Sequence, residues 1–390
     1  MPSLAKLIVG ALAAATLVAA LVLFVILPPR VDARMNVVIA HAPYAVSERA
    51  SALHGSIPVA DLHADTLLWA RDPARRHDHG HTDISRLIEG GVALQVFTTV
   101  TKTPRGQNYD ANDGGTDDIT LLAIAQRWPR RTWTSLEERA RYQAERLHAA
   151  ARADHRLRVV RTRGDLETSL QRSRSGGEAL AGLLGTEGSH ALEGDLAAVE
   201  RLFGDGYRVM GLHHFFDNAL GGSLHGRSGA GLTSFGRDAV AEMNRLGIVI
   251  DVAHSSEAVV REVLALSDRP VIVSHTGFDG HCPSARNISD ETMGAVAAAG
   301  GLIGVGFWAD VTCDASPAGI ADAIAYGAAR FGEDRIALGS DFDGTVTTSL
   351  DASELAALTQ ALLDRGLTEA QVRKVMGENA VRFFLTNLPA

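Results

Sequence analysis

Eight short runs of almost wholly apolar residues punctuate this chain between positions 57 and 338, and they restrict its fold more than any other feature. They cover residues 57–62, 92–97, 179–184, 207–212, 248–252, 271–273, 301–306 and 335–338. The apolar residues fall on successive rather than alternate positions, and Gly, Pro or Asp bounds each run. That is the pattern of strands buried on both faces, as in a parallel sheet. Helical patterns separate them, over residues 118–127, 135–151, 192–203, 235–246, 257–266, 290–299, 318–331 and 353–365. Thr233 or Ser234 and Ser255 or Ser256 stand where helix N-caps are expected. Eight strands, most followed by a helix, predict an α/β protein built as a (β/α)8 TIM-like barrel. An open doubly wound sheet is the alternative, but no G-x-G-x-x-G follows the first strand and no P-loop is present. The polar stretch 102–117 after the second strand is a candidate lid.

A separate element precedes the barrel. Residues 7–27 carry no charge, and at ~1.5 Å per residue they suffice to cross a ~30 Å hydrocarbon core. Pro28 and Pro29 are expected to end the run. A cleaved signal peptide is the competing reading, but its apolar stretch is usually only about 7–15 residues, and no A-x-A site lies directly after this one. The expected organisation is therefore an N-terminal transmembrane anchor over 1–30, a linker and lead-in over 31–55, and the barrel over 56–386. Lys6 on one side and Arg30 and Arg34 on the other give little orientation. A short N-terminal tail favours a periplasmic or extracellular catalytic domain.

Composition removes several classes. A net charge of -9 with no Lys/Arg run argues against nucleic acid as a partner. Two cysteines, Cys282 and Cys313, exclude a disulfide scaffold and a Cys-rich zinc module; they are expected as buried thiols and leave the redox compartment open.

Polar residues gather at the C-terminal ends of the predicted strands, where barrels of this kind carry their chemistry. The first run ends in Asp61-Leu62-His63-Ala64-Asp65, and the third in Gly185-Thr186-Glu187. The fourth ends in His213-His214, the fifth reaches His254, the sixth reaches His275, and the eighth leads to Asp341 and Asp343. Imidazoles and carboxylates without thiolate suit zinc or another divalent first-row metal. His63 and Asp65, two apart in extended chain, point to the same side; His254 and His275 come from adjacent strands, and Glu187 has two oxygens with which to bridge. Two cations there would favour a bridging hydroxide, since metal coordination brings a water pKa from about 15.7 to about 7. Lys102 is the sole lysine near a strand end, so Glu187 is a better bridge than a carboxylated lysine. The remaining histidines get plainer readings. His77, His79 and His81 read as a solvated loop, with site lining the lesser alternative. His190, His225 and His281 lie on loops near the rim without a second feature. His41, His54, His148 and His155 read as surface.

Together these residues resemble the membrane dipeptidase (renal dipeptidase) family of dinuclear zinc peptidases, over about residues 57–384. The matching segments are D-L-H-A-D-T at 61–66, G-T-E-G at 185–188, L-T-S-F-G-R-D-A-V-A-E-M-N-R-L-G-I-V-I-D-V-A-H at 232–254, V-S-H at 273–275, A-R-N-I-S-D at 285–290 and G-S-D-F-D-G at 339–344. The resemblance implies two Zn2+ per subunit, with His63 and Asp65 on one, His254 and His275 on the other, and Glu187 bridging. It implies that His214 contacts the substrate carbonyl, that Arg286 holds the free carboxylate, and that Asp341 passes a proton from the bridging hydroxide's water to the leaving amine. Trp308 follows Phe307 where a pocket-lining Tyr is expected, His213 replaces a Thr, and Gly221-Gly222-Ser223 stands near a missing D-S. The expected substrate is a dipeptide, with D-residues tolerated at its C-terminal position, and the resemblance leaves room for a homodimer. Two rivals remain at this point: a barrel amidohydrolase acting on a lactone, phosphoester or other small amide, and a tethered binding protein that kept the fold without catalysis.

Overall fold

All eight apolar runs become parallel strands, and the sheet they form closes on itself. A computed structural model describes residues 3–390. The barrel strands are β1 (Val59–Ala64), β2 (Val92–Val100), β3 (Leu180–Glu187), β4 (Tyr207–Gly211), β5 (Val249–Asp251), β6 (Ile272–Thr276), β7 (Leu302–Val305) and β8 (Ile336–Leu338). Around the ring the order is β2-β1-β8-β7-β6-β5-β4-β3, and Leu94 paired with Ala181 joins β3 back to β2. Every residue of these strands is buried, which is why their sequences do not alternate. Closure excludes the open doubly wound sheet. Side chains from successive strands, among them Leu62, Leu94, Leu183, Val209, Val249, Ile272 and Leu302, meet in one buried cluster with Phe383 and Phe384. The ring is a packed core, not a pore.

The helices fall where the 3.6-residue periodicity puts them, and their caps are as expected. Thr233 Oγ1 accepts from the Gly236 amide at 3.0 Å, and Ser256 Oγ from the Val259 amide at 3.1 Å. Elements without a clear pattern were not expected. Leu157–Val159 adds a short strand beside β3, and Arg163–Arg174 is a helix that buries little beyond Leu166, Ser169 and Leu170. Within 31–55, Glu48–His54 is helical and sends Ala50 and Leu53 inward.

Three expectations need correction. The N-terminal helix does not stop at Pro28: helical structure runs from Leu4 to Met35, with a widened π turn over Val22–Ile26 just before the prolines. The wider turn relieves the missing amide and the ring clash that proline brings to a helix. No residue of Leu4–Leu21 is buried, and the helix is long and apolar enough to cross a membrane or to serve as a signal sequence. His54 is not a surface residue. It is buried, with Nδ1 facing the Thr359 hydroxyl and Nε2 donating to the Gly90 carbonyl. Cys282 and Cys313 are not free thiols but a disulfide spanning 31 positions, which ties the loop after β6 to the segment after β7.

Burial holds the His54 imidazole below its usual pKa, partly offset by the Gly90 carbonyl. The unfolded chain therefore takes up a proton near pH 6.5 that the folded state refuses, and stability falls as pH drops below that value. Thermal unfolding across pH 7 to 5 should show a smaller loss of Tm for His54→Gln than for the wild type. Replacing both cysteines by serine frees a 31-residue loop and should cost about 2–4 kcal/mol in denaturant unfolding.

Candidate active site

At the C-terminal end of the barrel, three histidines and three carboxylates from five strand ends converge on one point. His254 Nε2 and His275 Nε2 lie 3.1 and 3.3 Å from Glu187 Oε1 and 2.9 Å from each other. His63 Nε2 lies 3.7 Å from the same oxygen, 3.6 Å from Asp65 and 3.8 Å from Asp341. Two sets of donors result, His63–Asp65–Glu187 and Glu187–His254–His275, each with its atoms within 4.8 Å of one another and sharing Glu187. His63, His275 and Asp341 form a third such set. The five residues expected to bind metal are thus together, and all are buried.

The chain holds these rings by residues that the sequence reading passed over. Ser274 Oγ donates to Asp251 Oδ2 at 2.6 Å and stands 3.0 Å from His63 Nδ1 and 2.9 Å from His275 Nδ1. With its proton committed to Asp251, the hydroxyl accepts from both rings, which places hydrogens on Nδ1 and turns both Nε2 atoms inward. A second clasp mirrors it. Asp61 accepts from the Ser340 amide and hydroxyl at 2.8 and 2.7 Å, and Thr98 donates to Asp65 Oδ1 at 2.6 Å. The signal was present as a carboxylate inside a strand, two or three residues ahead of a ring donor, in Asp61-Leu62-His63 and Asp251-Val252-Ala253-His254.

Electrostatics show what this group of residues needs. Burial and the neighbouring Asp65 push the Glu187 carboxyl well above its usual range. Burial likewise pushes Asp341 up to about 8, with Asp65 adding to it and His63 and Arg286 opposing. Burial by itself would lower His63, yet Glu187, Asp65 and Asp341 raise it to about 10. His254 and His275 are held neutral by burial and by Arg286 or His63 nearby. Crowded carboxylates, neutral imidazoles and a buried His63 Nε2 with no hydrogen-bond partner are the donor set a divalent cation satisfies.

A cavity of about 560 Å³ opens onto this centre and is lined by Asp65, Glu187, His214, His254, Arg286, Trp308 and Asp341. His214 Nε2 is 3.5 Å from Glu187 Oε1, whereas His213 turns to Ser255, so the doublet divides as expected. Arg286 is buried; it donates to the His275 carbonyl at 2.8 Å, lies 5.5 Å from the Trp308 ring centre, and has no carboxylate partner among the described residues. Trp308 Nε1 donates to the hydroxyl of Tyr109, 3.2 Å away, which comes from the candidate lid. Tyr109 was missed, and His225, expected only on a loop near the rim, packs against the centre itself. His225 is fully buried, faces His254 at 5.3 Å and contacts the Tyr109 carbonyl.

Asp341 sits in a strained segment: Asp341, Asp343 and Thr345 all have φ near 60°, a region costly for residues other than glycine. A Cβ on Gly344 would lie 1.9 Å from Asp341 Oδ1. The strain is held by Asp343, whose carboxylate meets Arg71 at 2.8 Å and accepts from the His81 amide and Thr82 hydroxyl at 2.7 and 2.6 Å. Burial pushes Asp343 up, but Arg71 and His81 win and hold it far below the carboxylate range. Arg71 also grips Asp32 of the N-terminal helix at 2.7 Å, and His79 approaches that carboxylate at 3.3 Å. The histidine run at 77–81 is therefore neither a wholly solvated loop nor cavity lining. Its last member, His81, is buried beneath Asp343.

Comparison with known proteins agrees with this geometry. Residues 47–387 match the family model described as membrane dipeptidase (peptidase family M19). The chain is 30% identical over 316 residues to dipeptidase tcpJ of Claviceps purpurea (strain 20.1), covering 78% of this chain and 68% of that protein. It is 28% identical over 351 residues to dipeptidase verJ of Clonostachys rogersoniana, covering 86% and 85%. Among solved structures, the M19 metallopeptidase "dipeptidase AC" has a TM-score of 0.70 at 27% identity, over 86% of this chain and 100% of that one. A metallopeptidase from Rhodobacter sphaeroides, liganded with a phosphinate mimic of L-Ala-D-Ala, gives 0.67 at 27% identity, over 85% and 99%. The chain belongs to the membrane dipeptidase family, peptidase family M19, and is a hydrolase of the dipeptidase type.

Proposed function

We propose that this protein is a membrane-anchored dinuclear zinc dipeptidase. His63 and Asp65 would hold one ion, His254 and His275 the other, and Glu187 both; a nitrogen and oxygen donor set without thiolate suits zinc. When bound, the ions supply an acidified water and a Lewis acid for the scissile carbonyl.

The chain's own groups do the rest. Arg286, buried and unpaired beside the donors, is the observation that carries the reading, because a desolvated guanidinium seeks a planar anion. A free C-terminal carboxylate fits it, which places the scissile bond beside the C-terminal residue. His214, kept neutral by burial that lowers it to about 4, donates to the carbonyl oxygen as negative charge develops there. Asp341, 3.8 Å from His63 and lining the cavity, is placed to accept a proton from the attacking water and return it to the departing amine nitrogen. The relative carrying an L-Ala-D-Ala mimic supports tolerance of a D-residue at the C-terminal position. The disulfide fits an oxidising compartment, consistent with a periplasmic or extracellular catalytic domain behind an N-terminal anchor.

Metal analysis of the purified protein together with a panel of L,L- and L,D-dipeptides tests this directly. Two zinc ions per chain and dipeptide turnover are expected; turnover of lactones or N-acyl esters without dipeptide cleavage would overturn it. Glu187→Gln should leave fewer than two ions bound and lower kcat by more than about a hundredfold. Arg286→Ala should lower kcat/KM for dipeptides about 10- to 100-fold, chiefly through KM.

A further inference from the structure

The N-terminal helix does more than precede the catalytic domain, because its last two turns are built into the cavity. Asp32 and Asn36, one helical turn apart, face the barrel. Asp32 is buried against Arg71 at 2.7 Å, and Asn36 donates to Asp32 at 2.8 Å and accepts from the Thr345 amide at 3.0 Å. Residues 31 and 35 share the neighbouring stripe of the same helix, and there Val31 and Met35 line the cavity that opens onto the donor centre. Val31 packs with Trp69, Val100, Ile119 and Leu122 in an apolar lobe, and Met35, itself exposed, lines the same cavity.

The position of this lobe around the ring indicates what it touches. Arg286 follows β6, whereas Val100 ends β2 and Ile119 lies on the segment after it; β2 and β6 are four places apart in a ring of eight. The elements that carry the apolar lobe and the guanidinium thus leave the barrel on opposite sides of the ring. A peptide whose carboxylate reaches Arg286 and whose scissile carbonyl lies over the centre extends its N-terminal residue into the lobe.

We propose that the foot of the N-terminal helix is a wall of the substrate site, and that Val31 and Met35 select dipeptides whose N-terminal residue carries a large apolar side chain. The inference rests on the dipeptidase reading and adds that the helix stays attached to the working enzyme.

The test uses the full-length, zinc-replete protein in detergent, with Phe-Ala and Gly-Ala as paired substrates. In the Val31→Ala/Met35→Ala variant the ratio of kcat/KM for Phe-Ala over Gly-Ala should fall about tenfold, the scale on which apolar pockets discriminate. Val31→Trp, which fills the lobe without loosening the helix, should lower the same ratio. Intact mass should show a chain that retains residues 31–35. A ratio within about twofold of wild type in both variants, or a mature chain beginning beyond Met35, overturns the inference. Absence of any dipeptide turnover by the wild type would overturn the dipeptidase reading itself, whereas normal turnover with unmoved selectivity overturns only the role of the helix foot.

Discussion

One carboxylate organises the mouth of this barrel. Glu187 Oε1 stands within 3.1–3.7 Å of the Nε2 atoms of His63, His254 and His275 and within 3.5 Å of His214. Burying a carboxylate beside Asp65 and Asp341 is costly unless opposite charge arrives. The protein answers with the neutral imidazoles of His254 and His275 and with His63, whose proton the surrounding carboxylates favour, an arrangement that a cation completes. Fold, rotamers and hydrogen bonds near the centre can all be understood as ways of holding that unfavourable grouping in place.

Two serine–aspartate clasps do much of the holding. Asp251 with Ser274 orients His63 and His275 through one hydroxyl, and Asp61 with Ser340 stitches β1 to the segment that follows β8. Each serine bonds a neighbouring strand, so the ligand geometry is tied to barrel register. A slip of one residue would turn each of these side chains to the opposite face.

Farther out, the Asp32–Arg71–Asp343 chain links the N-terminal helix to the strained turn that presents Asp341. Three buried charges in series are expensive to desolvate and contribute little net stability. Their geometry is specific, and it keeps Asp341 in a backbone conformation it would not adopt freely.

The sequence by itself determined the barrel and the rim on which its histidines and carboxylates gather. Strands buried on both faces are written as continuous apolar runs, and a donor at the end of such a run has one rim to occupy. It could not reveal the disulfide, since pairing depends on two loops meeting, nor that Tyr109 lines the cavity and His225 packs against His254, both from long loops with no periodicity. The short strand Leu157–Val159 and the polar helix Arg163–Arg174 escaped for a similar reason: their place comes from neighbours, not from their own composition. Most of all, nothing local in Leu27–Met35 says that a helix passing two prolines will dock on Arg71. That depended on a charge 39 residues away, which only the folded chain brings within reach.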